Sequence, residues 1–374
     1  MSGIYLHIPF CKQACHYCDF HFSTSTLMVD SVVEMICKEL IMRRNYLKGD
    51  PVVETIYFGG GTPSLLNLNQ IEKILNTIYK NYSLDLKEIT IETNPDDLSN
   101  EKLAGLNHLG FDRLSIGIQS FHDNVLKFYN RAHNARESLE SIAMAREHGF
   151  EKLSIDLMYG FPYADHSLWI SDLQLALTID PGHISSYCLT IEPQTALGKW
   201  TEKGKYLPTT DDFNADQFEI MQAKMKEAGY IQYEISNFAK PHAFAVHNSN
   251  YWKGVSYLGI GPSAHSYDGQ SRQHNVANNV KYVKGLMANE LISEIDRLER
   301  EEIINEYLLT SIRTIWGTDL RLIQDRYQFD LKYKKEKELN LFHKEGLLVL
   351  EDEKIILTEK GRILADSIAE KLFV

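Results

Sequence analysis

Short apolar segments alternate with longer amphipathic segments along the first half of the chain. β-Branched and apolar residues predict strands at residues 4–8, 55–58, 88–93, 113–118, 152–158 and 183–190. Apolar residues at helical spacing predict helices between these strands, at residues 27–46, 68–79, 100–109, 135–148 and 167–178. Gly110 follows the third of these helices as a candidate C-cap. A regular strand–helix alternation is typical of a parallel sheet covered by helices.

Such an α/β chain forms either a complete or partial barrel or an open doubly wound sheet. Polar and glycine-rich segments come directly after the predicted strands, at residues 11–18, 59–62 and 92–94 and at Gln119, Asp156 and Glu192. Barrel sites are built from the ends of several strands, whereas a doubly wound sheet concentrates its ligand at one switch point. The sequence therefore favours the barrel.

The pattern changes after about residue 200. We expect a barrel over residues 1–230, with a last helix at 212–228, and an aromatic, glycine-rich connecting segment over 231–285. A C-terminal helical domain is expected over residues 286–374. Its end, LLVLEDEKIILTEKGRILADSIAEKL, predicts a strand, a turn, a second strand and a helix with Thr358 as N-cap, which suggests a winged-helix-like domain.

Charge and composition exclude some classes of function. The 374 residues include 39 Lys and Arg and 51 Asp and Glu, which gives a net charge of −12 and argues against a nucleic-acid-binding protein. No apolar run reaches the ~18 residues of a membrane span, and the first residues do not resemble a signal peptide. We expect a cytoplasmic protein.

Three of the five cysteines form the pattern Cys11-x3-Cys15-x2-Cys18. In a large chain of this kind, such a cluster indicates a metal or redox site more than a disulfide framework. Three thiolates can hold a [4Fe–4S] cluster and leave one iron without a protein ligand. A zinc loop and buried cysteines without a metal are the alternatives. Cys37 and Cys188 lie in an amphipathic helix and an apolar strand and are interpreted as structural.

A second group of residues suits a nucleoside ligand. The run Gly59-Gly60-Gly61-Thr62-Pro63 lets the backbone approach a ligand, and we expect its N–H and C=O groups to stay free. A simple turn is the alternative. Glu92, Gln119, Arg131 and Asp156 have the chemistry to bind a zwitterion and a ribose, with the arginine on a carboxylate. Taken singly, each is an ordinary surface or ion-pair residue.

The cysteine pattern, with an aromatic residue before Cys18, resembles the signature of the radical S-adenosylmethionine (SAM) superfamily. IYLHIPFC, YFGGGTPSLL, ITIETNP, RLSIGIQSF, NRAHN, SIDLMYGFP and YEISNFA are similar to its coproporphyrinogen III oxidase-like family, over nearly the whole chain. The resemblance implies a partial (β/α)6 TIM-like barrel with a C-terminal helical domain. It also implies a [4Fe–4S] cluster on Cys11, Cys15 and Cys18, with its fourth iron open to SAM. The residues implied to contact SAM are Tyr5, Tyr17, Gly60, Gly61, Thr62, Glu92, Gln119, Arg131 and Asp156.

This family contains oxygen-independent coproporphyrinogen III oxidases and HemW-type heme chaperones. The oxidases carry another cysteine two residues after the third, where this chain has Phe20, and a long N-terminal extension, whereas here the first strand follows almost at once. The segment from His247 to Trp252 matches the HNxxYW pattern of the HemW-type branch. We therefore expect a heme chaperone without oxidase activity, with the oxidase as the alternative.

The same resemblance implies apo-hemoprotein recipients, an electron donor for the cluster and a homodimer. His247, Asn248, Tyr251 and Trp252 are the predicted heme contacts, because neutral imidazole ligates heme iron and aromatic rings offer flat apolar surface. A hydrogen-bonded structural histidine is the alternative for His247. His242, His265 and Cys188 are rival iron ligands.

Overall fold

The computed structural model describes residues 2–47, 49 and 51–374. The first elements are β1 (Gly3–Ile8), α1 (Val29–Met42), β2 (Val53–Gly60), α2 (Leu68–Asn81), β3 (Leu84–Thr93), α3 (Asn100–His108), β4 (Arg113–Gln119), α4 (Asp123–Phe128), α5 (Ala135–Glu147), β5 (Lys152–Tyr159), α6 (Ser167–Ile179) and β6 (Gly182–Cys188). Short 3-10 helices follow β2 and β3, at Pro63–Leu65 and Pro95–Asp97. Each strand and helix predicted for residues 4–190 is present, with ends that differ by at most four residues.

The next part of the chain extends the same sheet at both edges. Its elements are α7 (Ala196–Glu202), α8 (Asp211–Glu227), β7 (Ile231–Gln232), β8 (Asn237–Ala239), α9 (Val246–Trp252), β9 (Tyr257–Ile260), β10 (His265–Tyr267), β11 (Ser271–Asn275), α10 (Asn279–Met287) and β12 (Ser293–Arg297). The strand order is β12-β11-β10-β9-β1-β2-β3-β4-β5-β6-β8-β7. β9 and β1 to β6 run parallel, and the outer strands are antiparallel.

The order of the strands decides between the two predicted architectures. β1 to β6 are neighbours in chain order without a reversal, so this sheet has no central switch point of the doubly wound type. β7 and β12 end the sheet without pairing to each other, which leaves the barrel partial. The predicted α/β class and partial barrel are therefore confirmed. The carboxyl ends of β1 to β6 lie at one rim, called the upper rim below.

The burial of side chains in the core explains why the strands could be predicted from the sequence. In β1, Ile4, Leu6 and Ile8 are buried against the helices, whereas Tyr5 and His7 alternate with them and face the inside of the barrel. β4 is buried along its whole length, as expected for a central parallel strand. Gly110 has a φ of +89° after α3, which confirms the predicted C-cap.

The last part of the chain has a core of its own. It contains α11 (Arg300–Ile312), β13 (Thr318–Asp319), α12 (Leu320–Tyr327), α13 (Leu331–Lys334), α14 (Glu336–Lys344), β14 (Leu348–Glu351), β15 (Lys354–Leu357), α15 (Glu359–Arg362) and α16 (Ala365–Leu372). β13, β15 and β14 form a small sheet, and Thr358 accepts the N–H of Gly361 as the predicted N-cap. β12 still pairs with β11 of the large sheet, beyond the predicted boundary at residue 286. The domain limits at 230 and 286 stay predictions.

A buried ion pair fixes the edge strands to the barrel. Glu39 in α1 is fully buried and accepts hydrogen bonds from Arg43 (3.0 Å), Asn275 (2.8 Å), the N–H of Gly261 (2.9 Å) and the hydroxyl of Tyr282 (2.6 Å). One carboxylate thus connects α1 with α10, β11 and the loop after β9. The charge is satisfied on both oxygens, which is the condition for burying a carboxylate.

We expect the Glu39→Ala variant to lose about 3–5 kcal/mol of unfolding free energy, because Arg43 is left buried without its partner. Glu34→Ala on the same helix is the matched control. Glu34 pairs with Lys73 at 3.2 Å in solvent, with 62% of its side chain exposed, and such pairs contribute about 0–1 kcal/mol. Urea unfolding of both variants checks the prediction, and equal losses would contradict it.

Candidate functional site

The predicted metal loop leaves β1 at the upper rim and is held at several points. The N–H of Cys11 donates to the carbonyl of Ser23 at 3.1 Å. His16 is held twice, by its N–H on the carbonyl of Tyr129 (3.1 Å) and by its ring Nδ1, 2.7 Å from the carbonyl of Phe128. The ring of Tyr17 packs edge-on against Tyr129. The loop therefore has a defined shape although it contains no helix or strand.

Cys11, Cys15 and Cys18 are free and half-buried. Thr62 donates to the sulfur of Cys11 and Arg131 to that of Cys15, each at 3.5 Å. Burial raises the pKa of Cys11, and that of Cys18 to about 12. In the described residues no three Cys, His, Asp or Glu side chains converge on a site for one metal ion. The zinc loop and the [4Fe–4S] loop therefore both stay predictions.

The glycine turn packs β2 against β1 and the cysteine loop. Gly60 has a φ of +109°, and a Cβ there would lie 2.7 Å from the ring of His7. A Cβ on Gly61 would lie 2.7 Å from the carbonyl oxygen of Phe10. Only glycine fits such contacts.

The expectation that the N–H groups of this turn stay free is wrong. The N–H of Gly60 donates to Glu92 at 3.1 Å and that of Gly61 to the carbonyl of Ile8 at 2.9 Å. The N–H of Thr62 donates to the carbonyl of Phe10 at 2.7 Å. The acceptors lie on β3 and at the end of β1, so hydrogen bonds within the protein already use these donors.

Glu92 and Asp156 form a pair of carboxylates inside the barrel. Glu92 accepts from the hydroxyl of Tyr57 at 2.8 Å, and Asp156 from that of Ser115 at 3.3 Å. Burial raises the pKa of Glu92 to about 7 and that of Asp156 to about 6, and the charge of Asp156 adds to the rise at Glu92. A cationic ligand placed here would stabilise both ionised forms.

Arg131 lies between this pair and the cysteine loop. Its Nη2 donates to Asn94 at 2.7 Å and to the carbonyl of Gly117 at 2.8 Å. Its Nε is buried and has no hydrogen-bond partner among the described residues. A buried guanidinium donor without a partner is costly, and a ligand carboxylate would satisfy it.

Gln119 ends β4 beside this arginine. Its φ of +66° is strained for a residue other than glycine, and the pairing of β4 with β5 is irregular next to it. Such strain is found at ligand sites. Gly117 leaves room for both side chains, since a Cβ there would lie 3.0 Å from Nε2 of Gln119 and 3.1 Å from Nη2 of Arg131.

The predicted SAM residues do not all lie at the rim, because Tyr5 is deeper in β1, with its ring 6.0 Å from that of Tyr57 and 6.5 Å from that of His247. The structure also adds partners that sequence reasoning missed. Tyr57 is hydrogen-bonded to Glu92, Asn94 to Arg131, and Ser115 to Asp156. The motifs YFGGG and ITIETNP contain Tyr57 and Asn94, and a period of two along β2 would have placed Tyr57 on the inner face. Glu192 is exposed, and the structure shows no part for it in this group.

The HNxxYW segment lies at the opposite end of the barrel. The carboxylate of Glu88, in β3, accepts the N–H groups of Val246 and His247 at 2.9 Å and caps α9. Glu88 also pairs with Arg113, the first residue of β4, at 2.9 Å. α9 therefore closes the lower end of the barrel.

His247 itself is 2% exposed, and both ring nitrogens have partners. Nδ1 is 2.8 Å from the hydroxyl of Thr55 and Nε2 is 2.9 Å from that of Tyr251. Burial lowers the pKa of His247 to about 3, so the ring is neutral. A metal bound to either nitrogen would have to break one of these bonds. Heme ligation by His247 stays a prediction.

The other predicted heme contacts differ in their surroundings. Tyr251 packs edge-on against Tyr257, with ring centres 4.5 Å apart. The ring of Trp252 lies 5.6 Å from the guanidinium of Arg313, towards the C-terminal domain, and Asn248 is half-buried. Tyr251 nevertheless lines a pocket that also contains Asp19 and Phe20, the two residues after Cys18.

Comparisons with known proteins agree with this geometry. The model of the radical SAM superfamily matches residues 5–171, and that of the HemN C-terminal domain matches residues 298–364. Over 98% of its length the chain is 35% identical to the heme chaperone HemW of Bacillus subtilis, 98% of which is covered. It is 30% identical to the heme chaperone HemW of Lactococcus lactis, with 100% of this chain and 97% of that protein covered.

A solved structure supports the fold. The chain matches coproporphyrinogen III oxidase (HemN) from Escherichia coli, a radical SAM enzyme, with a TM-score of 0.85 at 23% identity. The match covers 100% of this chain and 90% of that one. In the described residues no helix has the length and apolar character needed to cross a membrane.

A Glu92→Gln variant tests the carboxylate pair. Burial raises the pKa of Glu92 from 4.5 to about 7, so the folded chain keeps a proton that the unfolded chain has lost. The stability from this proton is complete below about pH 4.5 and is lost as the pH rises through about 7. Between about pH 5 and 8 we expect the unfolding free energy of the wild type to fall relative to that of the variant. Urea titrations at each pH measure this. A constant difference would contradict the prediction, and exposed Glu101→Gln is the control.

Proposed function

Because the chain belongs to the HemW family of heme chaperones, within the radical SAM superfamily, we propose that it binds heme and transfers it to apo-hemoproteins. The observation that carries this proposal is the end-to-end similarity to heme chaperones, at 35% identity over 98% of both chains for the Bacillus subtilis protein. The fold of the oxidase supports the architecture alone.

Phe20 favours the chaperone over the oxidase. The oxidases that the motifs resemble have another cysteine at this position. Phe20 is 68% exposed, so it contributes apolar surface beside the cysteine loop and no metal ligand. An exposed aromatic ring at this position offers apolar surface to a flat ligand.

The cysteine loop fits a [4Fe–4S] cluster. Its three thiols are free, and Thr62 and Arg131 donate to two of them, as hydrogen bonds to sulfur do in such clusters. Cys11, Cys15 and Cys18 would hold three irons and leave the fourth open. When bound, the cluster supplies the reducing electron of radical chemistry, for which the cell must provide an electron donor.

The rim next to the loop fits SAM. The unpartnered Nε of Arg131 suits the carboxylate of the ligand, and Glu92 and Asp156 suit its ammonium group and ribose hydroxyls. Gly60 and Gly61 have no side chains, so the turn at this rim leaves room for a ligand. Gln119 and Thr62 lie at the border of the same rim. Tyr5 and Tyr17 have buried hydroxyls whose pKa burial raises, so both stay neutral beside the ligand.

The cellular setting completes the proposal. The chain would act in the cytoplasm on apo-hemoproteins, without nucleic acid and with a homodimer as its working form. The names of the relatives specify heme and a chaperone role. The homodimer is what the resemblance to the family implies, and the net charge of −12 argues against nucleic acid.

The reconstituted protein is expected to transfer heme and not to decarboxylate coproporphyrinogen III. The cluster is reconstituted in the purified chain with iron and sulfide under anaerobic conditions. The protein is then loaded with hemin and mixed with apomyoglobin. The Soret spectrum then reports the transfer, and hemin alone is the control. The same sample receives coproporphyrinogen III with SAM and a reductant. Robust formation of protoporphyrinogen IX would overturn the proposal in favour of the oxidase.

Cys11→Ser and Cys15→Ser are expected to lower the iron content from about four per chain to well below that, because each removes one of three thiolates. Cys37→Ser is the matched control, since Cys37 is buried in α1 and bonded at 3.8 Å to the carbonyl of Lys73. Iron and sulfide analysis after reconstitution measures the effect. Full iron content in both loop variants would contradict the cluster assignment.

A further inference from the structure

An open pocket of about 430 Å³ lies between the cysteine loop, β1 and the turn from β9 to β10. We call it the imidazole pocket, after three of the residues that line it: Tyr5, His7, Asp19, Phe20, His21, Tyr251, Tyr257, Ser263 and His265. Its volume is within the range of about 300–1,000 Å³ that is typical of small-molecule sites. It borders the segment that directly follows Cys18, on the side of β1 away from β2.

The three histidines of this pocket differ in what their rings contact. His7 is buried, with Nδ1 3.3 Å from the hydroxyl of Tyr5 and Nε2 3.1 Å from the carbonyl of His21. The Nε2 of His21 lies 2.8 Å from the side-chain oxygen of Asn279. The ring of His265 has no hydrogen-bond partner among the residues that the structure describes, and the residue is exposed. His265 is therefore the histidine here that is ready to bind a metal.

The ring of His265 is held in place by stacking. It lies against the ring of His274, its partner in the pairing of β10 with β11, with centres 5.3 Å apart and planes 24° apart. Nε2 of His274 is 3.4 Å from the carboxylate of Glu294 on β12. Partial burial and the positive charges of His274 and Arg272 lower the pKa of His265, which favours the neutral imidazole that ligates iron.

The walls of the pocket suit a flat apolar ligand. Tyr251 and Tyr257 meet edge to face at 4.5 Å and form one side. Phe20 stands at the rim with 68% of its surface exposed. The open side along Phe20 leaves a route for a ligand to enter and leave, as transfer of a cargo requires.

We propose that heme binds in the imidazole pocket with His265 as the ligand of its iron and with Phe20 covering the macrocycle. This inference rests on the proposed function and names its site. It separates the heme ligand from the HNxxYW histidine. His247 is enclosed at the barrel floor with both ring nitrogens occupied, whereas Tyr251 of the same motif still contributes to the wall.

The experiment is a hemin titration of the full, reconstituted chain, followed by Soret absorbance and electron paramagnetic resonance. We expect His265→Ala to weaken hemin binding by at least about tenfold. Loss of a residue that only supports a metal ligand already lowers metal affinity by about that factor, and His265 is the proposed ligand itself. The spectra of the variant should also lose the signature of an imidazole ligand. Phe20→Ala should weaken binding and keep that signature.

Two variants and one rescue separate ligation from general damage. His108→Ala removes an exposed histidine at the end of α3 and should leave binding unchanged. His247→Ala should lower stability and keep the imidazole signature. In a His265→Gly variant, free imidazole added to the solution should restore the wild-type Soret spectrum, which a merely misfolded chain would not allow.

The outcomes are distinguishable. If the wild type does not bind hemin, the proposed function itself fails. If the wild type binds hemin and His265→Ala binds it with the same affinity and spectrum, only the site is overturned. Loss of the imidazole signature in His247→Ala, with His265→Ala unchanged, would assign the iron to the barrel floor.

Discussion

The close contact between the ends of β1 and β2 is the constraint on which the upper rim depends. The cysteine loop has no helix or strand of its own, so its position follows from the strands on which it rests. Gly61 and Thr62 donate to the carbonyls of Ile8 and Phe10, directly before Cys11. A side chain at Gly60 or Gly61 would collide with His7 or Phe10. The glycine run is thus explained by strand packing, and any contact with a ligand comes in addition.

The two ends of the barrel contain different kinds of buried polar groups. At the upper rim, Arg131 has a buried donor without a partner, and Glu92 and Asp156 are carboxylates whose pKa burial raises. At the lower end, Glu88 and Arg113 satisfy each other and also the backbone of α9 and of the segment before it. The unpartnered donor of Arg131 lies beside two carboxylates of raised pKa and three free thiols, and it is this combination that makes the upper rim the candidate ligand site.

Most of the barrel could be predicted from the sequence because its strands are buried and its helices amphipathic, so the two periodicities are clear. The antiparallel strands β10 to β12 were not predicted, since SRQHN and SEIDR lack alternating apolar residues and are ordered by pairing at the sheet edge. At the site, motifs identified the residues that end strands. They did not reveal that the N–H groups of the glycine turn are used by β1 and Glu92, or that His247 is enclosed, because both depend on contacts distant in sequence.

The position of Phe20 connects the metal loop with the imidazole pocket. Only Asp19 separates Phe20 from Cys18, and Phe20 lines the pocket together with His7, whose Nε2 is held by the carbonyl of His21. The same short segment therefore contains one proposed ligand of the cluster, Cys18, and one side of the proposed heme pocket, formed by Asp19 and Phe20. The two proposed sites are neighbours in the chain, so the backbone that positions Cys18 also positions Phe20.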